Sequence, residues 1–109
     1  MHELSITQSV VDAIVERSAG KKVTVVRLRV GRLSGFVPDA MRFCFELATD
    51  GTNLQGAALD IDEPPGVAHC RTCGEYFSLT DLILLCPCGS ADVEVLSGRE
   101  LVVASVDVV

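Results

Sequence analysis

The stretch CRTCGEYFSLTDLILLCPCGS, residues 70–90, decides how the rest of the chain is read. Cys70 and Cys73 bracket one tight turn and Cys86 and Cys88 another, and a glycine follows each pair directly, Gly74 or Gly89. A thiolate metal site needs sulfurs delivered from two such turns, so that four of them can form a tetrahedron about 2.3 Å from the ion. Glycine after each pair suits a backbone that folds its N–H groups over the sulfurs at positive φ. Structural zinc is the first reading; an iron tetrathiolate and a redox dithiol stay open on the same residues. The second pair is Cys-x-Cys rather than Cys-x-x-Cys, which demands a different turn. His69, adjacent to Cys70, is then either a substitute ligand or an exposed loop residue. Between the turns, Tyr76–Leu79 and Leu82–Leu85 are expected to form a short hairpin.

Outward from this stretch the texture changes. Residues 66–98 are short pieces broken by cysteine turns, roughly 30 residues in all, too few to hold together by core burial without a metal. Upstream, Leu4–Ala19 reads as an amphipathic helix with Ile6, Val10, Ala13, Ile14 and Arg17 on one face and Gly20 at its end. Ser5-Ile6-Thr7-Gln8 fits a capping box, which would leave the preceding residues outside the helix. Val26–Val30 alternates as a half-buried strand should, and Gly31–Gly35 reads as a loop. Pro38 opens a second helix, whose Met41, Cys44, Phe45 and Ala48 face a core. Leu59–Asp62 alternates again until Pro64-Pro65 stops it, and Val102, Ala104, Val106 and Val108 resume the pattern in a last strand. The expected architecture is α+β: a small sheet of about three strands packed with two helices, plus an inserted zinc-ribbon-like module. Its domains are a first unit of residues 1–65 plus 99–109 and a cysteine module of residues 66–98.

The composition excludes several functions. The chain has 109 residues, 49% of them hydrophobic, with 9 basic against 15 acidic side chains and a net charge of −6. An acidic chain lacks the basic face that phosphate backbones need, so no nucleic-acid partner is expected. No apolar run reaches the roughly 20 residues of a membrane span, so no membrane partner is expected either. The start, Met1-His2-Glu3, has neither a basic n-region nor an apolar h-region, and the expected compartment is the cytoplasm. Thiols there stay reduced, which again favours metal over disulfides. No phosphate-cradling loop and no Ser/His/Asp set is present, and Cys44 sits in an apolar stripe, so no enzyme is expected. Arg27, Arg29 and Arg32 form the densest basic group, read as a solvated face or a docking surface for an acidic partner.

The first three residues carry chemistry of their own. A retained Met1 puts an amine, an amide nitrogen and the His2 imidazole within one residue of each other. Such groups close fused chelate rings, and nitrogen-rich sets of this kind favour Ni²⁺ or Cu²⁺. Glu3 can add a carboxylate oxygen. The plain alternative is a solvent-facing histidine.

Met1-His2-Glu3-Leu4-Ser5, Arg29-Val30-Gly31-Arg32-Leu33-Ser34, Phe43-Cys44-Phe45-Glu46, Leu59-Asp60-Ile61 and the two cysteine turns, in this order, resemble the hydrogenase nickel-maturation proteins, the HypA/HybF metallochaperone family. The resemblance covers essentially the whole chain. It implies structural Zn(II) on Cys70, Cys73, Cys86 and Cys88, and one transient Ni(II) at His2, with nitrogen atoms of Met1 and with Glu3 as a further candidate. It also implies a nickel-handling GTPase of hydrogenase maturation and the hydrogenase large subunit as partners, with urease accessory proteins in some members. The Cys-x-Cys turn departs from the family, which usually has one more residue there. Two runners-up are a zinc-ribbon adaptor associated with nucleic acid and a small iron-tetrathiolate electron carrier.

Overall fold

The computed structural model describes residues 2–109. Its elements run α1 (Glu3–Ser18), β1 (Val23–Val30), α2 (Pro38–Thr49), β2 (Ala58–Asp62), β3 (Gly66–Cys70), β4 (Tyr76–Leu79), β5 (Val93–Ser97) and β6 (Leu101–Val108). They form two three-stranded sheets, of order β2-β1-β6 and β4-β3-β5. This is the expected α+β class, with two helices and the cysteine turns carried on the second sheet. By packing, the chain divides into two compact units. One takes in the described residues up to Leu28, Phe36–Ile61 and Val102–Val109; the other takes in Arg29–Gly35 and Asp62–Leu101. No helix among the described residues is long and apolar enough to cross a membrane.

In the first unit, α1 buries Thr7, Val11, Ile14 and Ser18, an i, i+4, i+7, i+11 stripe. That stripe lies one residue round from the expected one. Ile6 and Val10 are only half-buried, and Ala13 and Arg17 are exposed. Two polar residues occupy the inner face, so apolarity pointed to its neighbour. Ser18 is satisfied there: its hydroxyl donates to the Ile14 carbonyl at 2.7 Å and accepts from Asn53 Nδ2 at 2.7 Å. Thr7 is not: its Oγ1 is the one buried side-chain polar atom without a partner among the described residues.

The expected capping box does not form. α1 begins at Glu3 with His2 as its N-cap, and Ser5 lies inside the helix, its carbonyl accepting from the Ser9 hydroxyl at 3.0 Å. At the other end Ala19 takes the left-handed cap (φ 50°), ahead of Gly20. α2 starts at Pro38 as expected, and its Met41, Phe45, Ala48 and Thr49 are buried while Cys44 is half-buried. β6 runs antiparallel to β1, since Val109 N–H donates to the Lys22 carbonyl at one end and Gly31 N–H to the Glu100 carbonyl at the other. The arginines of this region are taken up internally. Arg27 grips Asp107 through two N–H groups at 2.9 and 3.0 Å, Arg29 reaches Asp62 at 3.9 Å, and Arg32 Nε donates to the Glu63 carbonyl at 3.1 Å.

In the second unit, β3 pairs antiparallel with both neighbours. The expected hairpin of Tyr76–Leu79 with Leu82–Leu85 is replaced: Tyr76–Leu79 pairs with β3, and residues 82–85 are irregular. The loop Gly31–Gly35 belongs to this unit because Leu33, Ala68 and Leu79 form its core, with Phe77, Leu84 and Val95 packed around them. Leu33 N–H donates to the Gly98 carbonyl at 2.7 Å. Gly31 packs so close that a Cβ there would lie 2.0 Å from that same oxygen, and Gly98 itself has φ +111°.

Two stability measurements check this packing. Thr7→Val removes an unsatisfied buried hydroxyl at constant shape, so urea unfolding should show stabilisation by about 1 kcal/mol. Gly31→Ala forces backbone apart at Gly98 and should cost at least about 2 kcal/mol by the same measurement.

Candidate metal centre

The two cysteine turns are built alike despite their different lengths. Cys73 N–H donates to Cys70 Sγ at 3.4 Å, and Cys88 N–H donates to Cys86 Sγ at 3.4 Å. Each turn is closed on the main chain by its glycine. Gly74 donates to the Cys70 carbonyl at 2.9 Å and Gly89 to the Cys86 carbonyl at 2.8 Å, at φ +80° and +98°. The positive φ expected of both glycines is therefore present. Thr72 and Ser90 hydroxyls meet at 2.8 Å and tie one turn to the other.

The sulfurs of Cys70, Cys73, Cys86 and Cys88 all lie within 4.8 Å of one another. Cys70 and Cys88 are 3.8 Å apart, and Cys73 and Cys86 are 3.7 Å apart. A tetrahedron with 2.3 Å metal–sulfur bonds has edges of about 3.8 Å, so the spacing suits a tetrathiolate ion. The short Cys-x-Cys turn thus brings both its sulfurs in. His69 does not join them. It lies on β3 opposite Tyr76 and Glu94, stacks its ring on Tyr76 with centroids 4.7 Å apart, and is half-buried. Strand alternation turns it to the face opposite buried Ala68 and Cys70, so neither the substitute-ligand nor the exposed-loop reading applies.

The acidities of these thiols express the crowding. The Cys73 amide, followed by that of Thr72, outweighs burial at Cys70 and draws its thiol down to about 6. At Cys86 the Cys88 amide pulls the same way, but burial and the three neighbouring sulfurs prevail and push the thiol up to about 12. Cys73 is also raised: the Glu75 amide is outweighed by burial and the sulfurs of Cys70 and Cys88. The amides thus favour a thiolate at Cys70, while burial and crowding resist one at Cys73 and Cys86. A divalent ion removes that conflict by deprotonating every thiol it binds. The donor set fits structural zinc.

The module's charge is self-contained. Arg71 pairs with Asp92 at 3.0 Å and Glu94 at 3.7 Å, which leaves no basic stripe for a phosphate backbone.

At the other candidate site, His2 is exposed and its carbonyl accepts the first helical bond, from Ile6 N–H at 3.1 Å. Met1 lies outside the described residues, so the expected participation of its nitrogens has no coordinates. Glu3 has a role that sequence reasoning missed: its Oε2 accepts from the N–H of Val37, the N-cap of α2, at 3.1 Å. That bond, with Glu3's own amide, holds the carboxyl below the usual range. Nothing local signals it, since the partners are 34 positions apart.

Comparison with known proteins follows this geometry. The profile of a family described as hydrogenase/urease nickel incorporation, metallochaperone, HypA, matches residues 1–108. The hydrogenase maturation factor HypA of Geotalea uraniireducens is 48% identical over 109 residues, covering 99% of each chain. That of Nostoc punctiforme is 43% identical over 108 residues, covering 99% of this chain and 96% of the relative. Among solved structures, the solution structure of the Ni metallochaperone HypA from Helicobacter pylori superposes with TM-score 0.68 at 25% identity, over 99% of this chain and 97% of that one. A second HypA solution structure shares the fold, with TM-score 0.60 at 20% identity, over 97% and 92%.

Elemental analysis of purified protein should find one zinc per chain and no iron, and the protein should be colourless. Cys86→Ser should lose that zinc. Stripping it with a chelator, or by acidification that protonates the thiolates, should abolish amide protection in β3–β5 while α1 and α2 keep theirs.

Proposed function

The chain belongs to the HypA family of metallochaperones, and from that premise we propose that it carries Ni(II) at its amino-terminal segment for insertion into [NiFe]-hydrogenase. The observation that carries this reading is the full-length family match of a chain that opens Met-His-Glu. The family is one of metallochaperones rather than enzymes, and the residues here suit that role.

The proposed nickel ligands are the His2 imidazole, the His2 amide nitrogen and nitrogen of Met1, with Glu3 a candidate oxygen donor. His2 stands at the N-cap of α1, where backbone N–H groups have no intrahelical acceptor. An amide there can give up its proton to a metal without breaking a helical bond. The positive end of the helix dipole disfavours a bare cation but favours the anionic nitrogen that binds it. One Glu3 oxygen is engaged at Val37, which leaves only the other to join, so the set is small, which suits cargo that must be released to a deeper site. By the Irving–Williams order such a set would prefer copper, so selectivity falls to the docking partner and to the metal the cell supplies. We assign the partners as a nickel-handling GTPase and the hydrogenase large subunit, with urease accessory proteins as further clients, and the place of action as the cytoplasm. In the second unit, Cys70, Cys73, Cys86 and Cys88 would hold zinc, which supplies folding free energy.

Calorimetric titration of untagged, zinc-loaded protein with Ni²⁺ tests the reading. One equivalent should bind to the natural chain, and His2→Ala should abolish that binding while keeping its zinc. Equal binding by both would move the nickel away from the N-terminus, and binding by neither would remove the carrier function.

A further inference from the structure

α2 buries Met41, Phe45, Ala48 and Thr49 against its own unit. At about 3.6 residues per turn, the direction facing away from that core falls on Asp39, Phe43, Glu46, Leu47 and Asp50. Such outward positions ordinarily carry charged or polar side chains. Here two of the five are a phenylalanine and a leucine, 64% and 57% exposed. Phe43 and Leu47 stand at i and i+4, so their side chains adjoin and make one apolar ridge. Scattered exposed apolar residues are normal on a surface, but an adjoining aromatic and aliphatic pair on the outward side of a helix has the make-up of an interface anchor.

The charges around the ridge are of one sign. Arg42 is bonded to Asp39 at 2.9 Å, and Glu46 and Asp50 have no ion pair among the described residues. The last turn of α2 holds no basic residue, so the negative end of the helix dipole adds to these two carboxylates. Beside them lies an open hollow of about 490 Å³, lined by Glu46, Leu47, Asp50, Gln55, Gly56 and Ala57 among others. Lys22 approaches this loop but donates to the Gln55 carbonyl.

We propose that this face of α2 docks a partner protein through a basic amphipathic helix. Its apolar side chains close over Phe43 and Leu47, and a lysine or arginine enters the hollow beside Glu46 and Asp50. Asp39, Phe43 and Leu47 form an i±4 ridge, the element that packs into the groove of a second helix. Charge complementarity selects the occupant. An uncharged segment would bury two unpaired carboxylates without compensation, and an acidic one would be repelled. A second copy of this chain would present the same acidic face, and nucleic acid or an anionic lipid surface is repelled by the same charges. A basic segment answers both features at once, because its long stem lies along apolar surface while its charged head reaches the carboxylates. The proposal is independent of the nickel reading, since none of these residues is a proposed nickel ligand. With two apolar anchors and two exposed carboxylates the contact is small, so the complex is transient and sensitive to salt.

Titration of isotope-labelled, zinc-loaded protein tests this, with an end-blocked helical peptide of about 18 residues that carries leucines on one face and lysines on the other. Amide shifts should fall on residues 39–50 and 55–57, and added salt should weaken binding. The same peptide with glutamate in place of each lysine should not bind. Phe43→Ser, and separately Glu46→Lys with Asp50→Lys, should each raise the dissociation constant about tenfold or more while zinc content and helicity stay unchanged. Shifts that lie elsewhere overturn the proposal, as does a variant that binds like the natural chain. A glutamate peptide that binds equally well overturns it too, and so does a lysine peptide that does not bind. Should a variant fail to fold, the shift map and the lysine-against-glutamate comparison on the natural chain decide alone.

Discussion

Four thiol sulfurs within 4.8 Å of one another impose a charge conflict that shapes the whole cysteine unit. Left to themselves they cannot all ionise, and the amides that fold over them favour a thiolate at Cys70 while burial and crowding resist one at Cys86. A divalent cation would reconcile the set by deprotonating each thiol it binds. The core around it is small, centred on Leu33, Ala68 and Leu79, with strands of four and five residues. So small a core suits a unit to which a metal ion, bound at the cluster, would add folding free energy.

The helical unit is held by different means. Its core is ordinary hydrophobic burial, with Val11, Met41, Val26, Leu28 and Leu54 fully enclosed or nearly so. The contrast suits a carrier. A structural ion among the four sulfurs would be held tightly. The proposed cargo site lies at the exposed end of a helix, where few ligands are available and exchange is rapid. Zinc, with its preference for thiolate, and nickel, with its preference for nitrogen, would be sorted by ligand chemistry.

The three-stranded sheet shows how one fold treats its two edges unequally. Aspartates and a proline pair guard β2, whereas β6 is a bare valine-rich strand whose single charge is consumed internally. Arg27, Arg29 and Arg32 read in the sequence as a solvated face or a docking surface for an acidic partner, and each makes a polar contact within the chain. Arg27 pairs with Asp107 and Arg29 with Asp62, while Arg32 bonds the Glu63 carbonyl.

Much of this protein was legible from local pattern alone. The paired cysteines, the glycine after each, Pro38 at a helix start and the alternation in Leu59–Asp62 and Val102–Val108 are short-range signals, and they specified two helices, a small sheet and a thiolate cluster. Tertiary structure decided what short-range signals do not carry. It placed Thr7 and Ser18 inward in preference to apolar neighbours; Asn53 from a distant loop satisfies Ser18, whereas the Thr7 hydroxyl is buried without a partner among the described residues. It started α1 at Glu3, with Ile6 N–H donating to the His2 carbonyl, and it gave the Glu3 carboxylate a partner at Val37, 34 residues on. It drew Leu33 out of an apparent loop and into a core, and it paired Tyr76–Leu79 with the preceding strand β3 across the first cysteine turn and not with the segment that follows. Sequence by itself determines the chemistry available and the periodicity of each element; which face is buried, and which strands meet, depends on partners that only the folded chain brings together.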